Sequence, residues 1–440
     1  MTEYFNRKIE TSSTKSLRVI QEKKLRAEIA YVYKNSVFYK GKFKKAGIHP
    51  NDIKTIDDLR KIPFTTKEEI RDNQLKAPPL GLHACAPPDK VIRIHSSSGT
   101  TGRPSYIGIT LHDREVWTQI TARSLYAENI RKGDKVVHAA GLSFFVGGLP
   151  VHDAIEEIGA TFIPIGTGAS DRVISSIQNI RANALHSTPS YAMYLANYVR
   201  EKLNMEPKEL HLSKIVGGAE PGIGIPSIRK KIEDDWGAEA REGMGNADMA
   251  PIIFGECFAR EGMHFCGQEY IICELIDPET GENMELKEGA EGELVYTAID
   301  RECVPLIRFR TRDRIVVWTD KCECGRTSFR QRCIGRTDDM LIVLGVNVFP
   351  SAVRDVVASL RPKTTGEIKI ILSKPGPAVE PPVKIKVEYA KEFRGNLDEL
   401  KNEVEDALRE KLIFRASVEL VPEGTLPRYE MKAKLVEVVN

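Results

Sequence analysis

KVVHAA at 135–140, PVHDAIEEIG at 150–159, ATFIPIG at 160–166, SDRVISSIQNIRA at 170–182 and ALHST at 184–188 form the stretch that decides the fold. Short β-branched runs alternate with segments whose apolar residues recur three and four apart, and that alternation predicts successive βαβ units on a parallel sheet. A further round follows in PSYAMYLANYVREKL (189–203), LSKIVGGAE (212–220) and PSIRKKIEDDWG (226–237). Each helix opens near Pro or Ser and closes near Gly, the usual chemistry of helix ends. The main body is therefore an α/β domain.

Upstream, residues 15–45 carry Leu17, Ile20, Leu25, Ile29, Ala30 and Val32 among charges, which predicts an amphipathic helical lead-in broken near Asn35. Downstream of Asp300 the texture becomes strand-rich, through VPLIRF and RIVVWTD to GRTDDMLIVLGVNVFP. The last hundred residues read as a small α+β unit: EIKIILS and PVKIKVEYA alternate as strands, NLDELKNEVEDALREKL is an amphipathic helix and SVELVP a further strand. KPGPAVEPP between the first two is a Pro-rich turn. The expected division is a large domain over 1–335 and a small C-terminal domain over 336–440.

A chain of 440 residues exceeds one compact core, in keeping with that division. Sixty-four Lys and Arg against 62 Asp and Glu leave a net charge of +2, which builds no field for nucleic acid or an anionic membrane and points to a small-molecule partner. The N-terminus lacks the apolar core of a secretory signal and no run is apolar enough to span a bilayer, so a cytoplasmic location is expected. Eight cysteines are too sparse for a disulfide scaffold. The assembly state is not written in the sequence; a homodimer is admissible.

The strongest chemical signal is SSSGTTGRP at 96–104, directly after the strand-like VIRIH. Glycines and hydroxyl side chains in one short turn let backbone N–H groups converge on an anion while the hydroxyls donate to its oxygens. The turn lacks the Lys-Ser or Lys-Thr ending of the P-loop of nucleotide triphosphatases.

This segment resembles the phosphate-binding loop of the adenylate-forming superfamily, and the whole chain resembles its phenylacetate-CoA ligase branch. The resemblance runs through VYKNSVFYKGKF, KIPFTTKEEIRDN, TPSYAMYLA, GGAEP, ELIDPETGE, PLIRFRTRD and GRTDDMLIVLGVNVFP to LPRYEMKAK. It implies ATP-dependent conversion of a carboxylic acid to an acyl adenylate and transfer to coenzyme A, with Mg2+ as cofactor. On that reading Ser97, Ser98, Gly99, Thr100, Thr101 and Gly102 would hold the β and γ phosphates, and Gly218, Ala219, Glu220 and Pro221 would lie against adenine. Asp313 would accept both ribose hydroxyls, with Arg336 close to the nucleotide. Asp338 would be the hinge and residues 343–348 would help line the thiol tunnel. Lys432, the catalytic candidate, matches the lysine of a mobile C-terminal loop, although Met431 stands where a glycine is usual. A point cation there stabilises the charge that builds when a carboxylate attacks the α-phosphate. Lys434 is a near neighbour.

The chain departs from the family in EGMGNAD at 242–248, where an adenine-stacking aromatic and a magnesium-binding glutamate are missing and one surplus residue precedes Pro251. Asp248 can supply the carboxylate from a shifted register, since magnesium needs hard oxygen ligands. Phe144, Phe145 and Tyr191, with Gly243 and Met244, fall in stretches that would line the acyl pocket, and aromatics beside glycines suit a flat ring. Cys322 and Cys324 in KCECGRT, with Cys257 and His264 in ECFAREGMHF, can complete a tetrahedral structural zinc site if the fold joins the two loops. Cys266 or Cys333 can replace a ligand, and reduced buried thiols are the plain alternative. Two other functions fit the same architecture: an adenylyltransferase that does not use coenzyme A, and a non-catalytic nucleotide-binding paralogue.

Overall fold

The computed structural model describes residues 3–97, 104–166, 168–337, 339–343, 346–374, 378–429 and 433–439. After α1 (Arg7–Glu10), the lead-in is α2 (Thr14–Asn35) and α3 (Val37–Ala46). The break is the work of Ser36, which ends α2 in an extended conformation and turns its side chain to accept from the Tyr39 N–H, capping α3. α4 (Lys67–Lys76) opens on a capping box in which Thr66 and Glu69 satisfy each other's backbone N–H groups.

β1 (Arg93–Ser96) and β2 (Tyr106–Ile109) form an antiparallel ribbon around residues 97–105, followed by α5 (Leu111–Ala127). The βαβ series predicted from sequence then runs β3 (Lys135–His138), α6 (Leu149–Ile158), β4 (Thr161–Pro164), α7 (Ser170–Ile180), β5 (Ala184–Ser187), α8 (Pro189–Leu203), β6 (Lys214–Gly218), α9 (Pro226–Trp236) and β7 (Glu239–Asn246). All five strands pair in parallel, in the order β4-β3-β5-β6-β7. The stripe of α7, Val173, Ile174 and Ile177, is buried against Leu185, Leu195 and Ile215. Each such side chain contributes about 1.5–3 kcal/mol by leaving water.

The strand-rich part does not form a separate sheet. β8 (Ala250–Glu256), β9 (Met263–Phe265), β10 (Ile271–Ile276), β11 (Asn283–Met284), β12 (Glu291–Ala298), β13 (Phe309–Trp318) and β14 (Arg330–Arg336) extend the parallel strands from β7 into one 12-stranded sheet, ordered β11-β10-β12-β13-β14-β9-β8-β7-β6-β5-β3-β4. Strand alternation predicts each element but not its neighbour, so the continuation through β7 was not readable. Beyond it come β15 (Leu341–Val343), β16 (Val346–Val348), α10 (Pro350–Ala358), β17 (Thr364–Leu372), β18 (Ala378–Val379), β19 (Val383–Tyr389), α11 (Leu397–Leu412), β20 (Ala416–Pro422) and β21 (Val436–Val438). They share a core of their own, with Val353, Ile370, Ile385, Val404 and Leu408 fully buried. β21, which pairs in parallel with β17, was not read from the sequence. No helix among the described residues is long and apolar enough to cross a membrane.

His138 and His186 end neighbouring strands, face each other in register and stack with ring centroids 4.8 Å apart. Both are buried; burial pushes His138 well below the ordinary histidine range and His186 down to about 4. The unfolded chain binds these protons first, so stability present above about pH 6.5 is lost as pH falls toward 4. For His186 alone, the displacement from the ordinary histidine value to about 4 corresponds to roughly 3 kcal/mol. His138→Phe is expected to flatten the pH dependence of unfolding between pH 6.5 and 4 by about one proton, as read from urea midpoints across that range.

Candidate active site

The candidate residues lie after the parallel strand β6, in the turn after β7, on the β1–β2 ribbon, and on the antiparallel strands β13 and β14. β6 runs into Gly218, Ala219, Glu220 and Pro221, and Ala219 takes a left-handed conformation at φ 69°. A Cβ on Gly217 or Gly218 would collide with the carbonyl of Ser187 or Gly243, so only glycine lets β5, β6 and β7 lie this close. Glu220 is buried and divides its carboxylate between two partners. Oε1 accepts from the backbone N–H of Ser190, 2.8 Å away in the first turn of α8, and Oε2 accepts from the N–H of Ala433 at 2.7 Å. Ser190 in turn meets the Arg354 guanidinium at 3.4 Å, and Arg354 pairs with Glu367. The C-terminal segment is thus fastened to the β6–α9 turn. Lys432 lies outside the described residues; the next residue, Ala433, makes this contact.

Of the phosphate-loop candidates, Ser97 is described, whereas Ser98, Gly99, Thr100, Thr101 and Gly102 lie outside the described residues. Ser97 closes the mouth of the β1–β2 ribbon: its N–H donates to the Ser105 carbonyl, and its Oγ accepts from the Ser105 N–H at 3.0 Å and faces the Ser105 Oγ at 3.1 Å. Ser105 Oγ donates to Asp248 Oδ1 at 2.8 Å, and Lys67 Nζ reaches both Ser105 Oγ, at 2.6 Å, and the other oxygen of Asp248. Burial opposes ionisation of Asp248, yet the charge of Lys67 and the bonds from Lys67 and Ser105 outweigh it and hold the carboxyl below its usual range. A hard, ionised carboxylate beside Ser105 and Ser97 is a donor that fits a magnesium ion.

Asp248 reaches this point through an irregularity. Along β7 and β8, Met244 pairs with Phe254 but Asn246 pairs with Ala250, so Gly245 alone opposes residues 251–253. The Asn246 side chain accepts from the Asp248 N–H to set the turn. Glu242 opens the segment that departs from the family pattern. Its carboxyl lies under Gly224 beside Glu256, and burial, followed by the charge of Glu256, pushes it up to about 7. A Cβ on Gly243 would meet the Glu128 carboxylate, and Met244 accepts from Gln331 at 3.2 Å through its sulfur.

Asp313 on β13 and Arg336 on β14 are register partners joined at 2.6 Å between Oδ1 and Nη1, with Asp313 buried. The pair is buried at the Asp313 end and spans two strands. Thr65 joins this part to the segment that carries Lys67: its N–H donates to the Arg308 carbonyl, its carbonyl accepts from the Arg310 N–H of β13, and two residues later stands Lys67.

Among the acyl-pocket candidates, Phe144 and Phe145 sit beside the loop. Ser96 donates its N–H to the Phe144 carbonyl and bridges to Phe145, and the Phe144 ring is 45% exposed, 5.8 Å from Tyr106. Tyr191 is placed differently. Its ring is fully buried and stacked on Tyr194, and its hydroxyl meets Ser170 Oγ at 3.1 Å, so it is packing in the α7–α8 core. Asp338 and residues 344–345 of the tunnel segment lie outside the described residues; β15 and β16 flank the latter as an antiparallel pair. Cys257, His264, Cys322 and Cys324 converge in a second, buried cluster, which Cys266 and Cys333 do not join.

Sequence reasoning missed Lys67 and Ser105. The Thr66-x-x-Glu69 capping box announces that a helix starts at Lys67, but nothing local says that its first turn points at a residue 181 positions away.

Residues 345–437 match the model of the AMP-binding enzyme C-terminal domain. The chain is 36% identical to a phenylacetate-coenzyme A ligase of Thermus thermophilus over 96% of both chains. Its structure superposes on 2-hydroxyisobutyryl-CoA ligase in the postadenylation state, in complex with R3-HIB-AMP, with a TM-score of 0.92 at 28% identity, covering 100% of this chain and 93% of that one. Against the same ligase in the thioesterification state, covering 99% and 92%, the TM-score is 0.73. With near-complete coverage by such relatives, the chain belongs to the phenylacetate-CoA ligase branch of the adenylate-forming enzymes.

Proposed function

We propose that this enzyme joins an aromatic or arylacetic carboxylic acid to coenzyme A with ATP, releasing AMP and pyrophosphate. A carboxylate oxygen attacks the α-phosphorus and pyrophosphate leaves; the coenzyme A sulfur then attacks the acyl carbon, AMP leaves, and the thiol proton passes to solvent. The observation that carries this reading is the linked set Ser97, Ser105, Asp248 and Lys67, to which β13 is tied through Thr65. It supplies oxygen and cationic partners for a triphosphate at the mouth of the 97–105 loop.

Within it, Ser97 to Gly102 cradle the β and γ phosphates, Gly218 to Pro221 lie along adenine, and Asp313, held by Arg336, takes the ribose hydroxyls. Asp248 would hold Mg2+, which supplies charge neutralisation to the triphosphate. Lys67, released from Asp248 when a metal takes its place, faces the phosphates. Phe144 and Phe145 form the aromatic side of the acyl site with Gly243 and Met244, and Tyr191 supports it from the core. A flat ring is favoured over a small aliphatic acid because the exposed Phe144 ring stands beside Tyr106 and the loop.

Residues 1–335 and 336–440 act as two bodies about Asp338. The contact of Ala433 with Glu220 and the better match to a postadenylation state support an arrangement on the adenylate-forming side. Thioester formation then requires the small body to turn and bring residues 343–348 to the thiol path. Asp338→Pro is expected to slow thioester formation at least tenfold more than adenylate formation, measured as separate half-reactions; equal slowing of both overturns the hinge assignment. The function itself is tested by acid-dependent exchange of labelled pyrophosphate into ATP. Exchange without thioester on adding coenzyme A indicates an adenylyltransferase, and ATP binding with no exchange a non-catalytic paralogue.

A further inference from the structure

We infer that Cys257, His264, Cys322 and Cys324 bind one structural zinc ion, whose task is to clamp the N-terminal segment onto the connection between β13 and β14. The four ligand atoms lie within 4.8 Å of one another. Cys257 Sγ stands 3.5 Å from Cys322 Sγ, and Cys324 Sγ stands 3.2 Å from His264 Nε2. Tetrahedral zinc with sulfur at about 2.3 Å and nitrogen at about 2.0 Å separates its ligands by roughly 3.3–3.8 Å, so a small adjustment closes the shell. All four residues are buried, His264 completely, and among the described residues no other group of this kind converges.

Three thiols and an imidazole with no catalytic partner select zinc over harder cations, and four protein ligands leave no open position for a reacting water. The imidazole is already turned for the task. Its Nδ1 lies 3.3 Å from the Ser328 carbonyl and 3.4 Å from the Ser328 hydroxyl, and its Nε2 faces Cys324; donation from Nδ1 to the carbonyl would leave Nε2 for the metal.

The ligands come from three places: the end of β8, β9, and the tight Cys322–Cys324 turn. Around that turn the N-terminal segment is strapped. Tyr4 donates its hydroxyl to the Cys324 carbonyl at 2.8 Å, Arg326 pairs with the buried Glu10 at 2.8 Å and donates to the Glu3 carbonyl, and Thr327 donates its N–H to the Glu10 carbonyl. Gly325 is left-handed at φ 78°, and a Cβ there would strike the Tyr4 hydroxyl. Phe5 also packs on Tyr126 and Ile9 is buried, so the turn holds the parts of the segment around Tyr4 and Glu10 and does not act alone. The same turn joins the strands that carry Asp313 and Arg336.

The test uses the full chain expressed with zinc supplied. Elemental analysis after gel filtration is expected to give one zinc per chain, and exchange for cobalt to give the visible bands of a tetrahedral, thiolate-bound ion. Cys324→Ser should lose the metal and expose residues 3–12 to limited proteolysis while the 135–240 region stays protected. Should Cys324→Ser fail to fold, cobalt titration of the metal-stripped wild-type chain reads the same site. Substoichiometric metal in the wild-type chain with no cobalt spectrum, a metal retained by Cys324→Ser, or a Cys257–Cys322 disulfide in the purified protein overturns the assignment.

Discussion

Lys432→Ala is expected to abolish acid-dependent pyrophosphate exchange, a fall of roughly a hundred- to a thousandfold or more, while thioester formation from preformed acyl adenylate keeps most of its rate. The reason is local. The attack on the α-phosphorus builds negative charge that a fixed cation stabilises far better than water does. The next residue, Ala433, donates its N–H to Glu220, whose other oxygen caps the first turn of α8, so the tail is tethered beside the turn proposed for adenine. A lysine acting there would serve the first half-reaction only, because the second requires the tail to leave. Lys434→Ala is the control: its carbonyl, not its side chain, anchors Lys369 at 2.7 Å, and near-normal exchange is expected. Quench-flow of the two half-reactions separates the variants.

The second large effect is expected at Asp248. Asp248→Asn removes the charge that Lys67 answers and the oxygen proposed for magnesium, and should reduce adenylate formation by about a hundredfold or more. It should also raise the magnesium concentration needed for half-maximal exchange, the readout that separates a ligand from a packing residue. Losing one member of a largely buried pair destabilises by up to about 3–5 kcal/mol, so the thermal midpoint should drop. Lys67→Met combined with Asp248→Asn removes the orphaned charge; stability should largely return while activity does not. Recovery of both would make the pair purely structural.

The parts legible in the sequence were those written by local pattern. β-branched runs and helix periods from Lys135 onward gave the parallel half of the sheet, Ser and Gly at helix ends gave its punctuation, and the alternation of 367–390 gave the paired strands of the C-terminal sheet. Asp313 and Arg336 were singled out from their motifs, and the β13–β14 register joins them. What stayed hidden depends on distant partners. The bond from Ala433 to Glu220 crosses 213 residues, and the pair of Lys67 with Asp248 crosses 181. Tyr191 shows the opposite error: an aromatic in a site motif was read as pocket lining, while helix periodicity carries it into the core beside Tyr194.

In the proposed reaction a carboxylate displaces pyrophosphate at the turn after β1. Labelled pyrophosphate exchange into ATP, run over aryl, arylacetic and aliphatic acids with and without coenzyme A, tests that step most directly. The predicted result is exchange that requires magnesium and an aromatic or arylacetic acid, with thioester and AMP appearing once coenzyme A is added. Absence of exchange with every acid, from a chain that is folded and saturated with ATP, would contradict it.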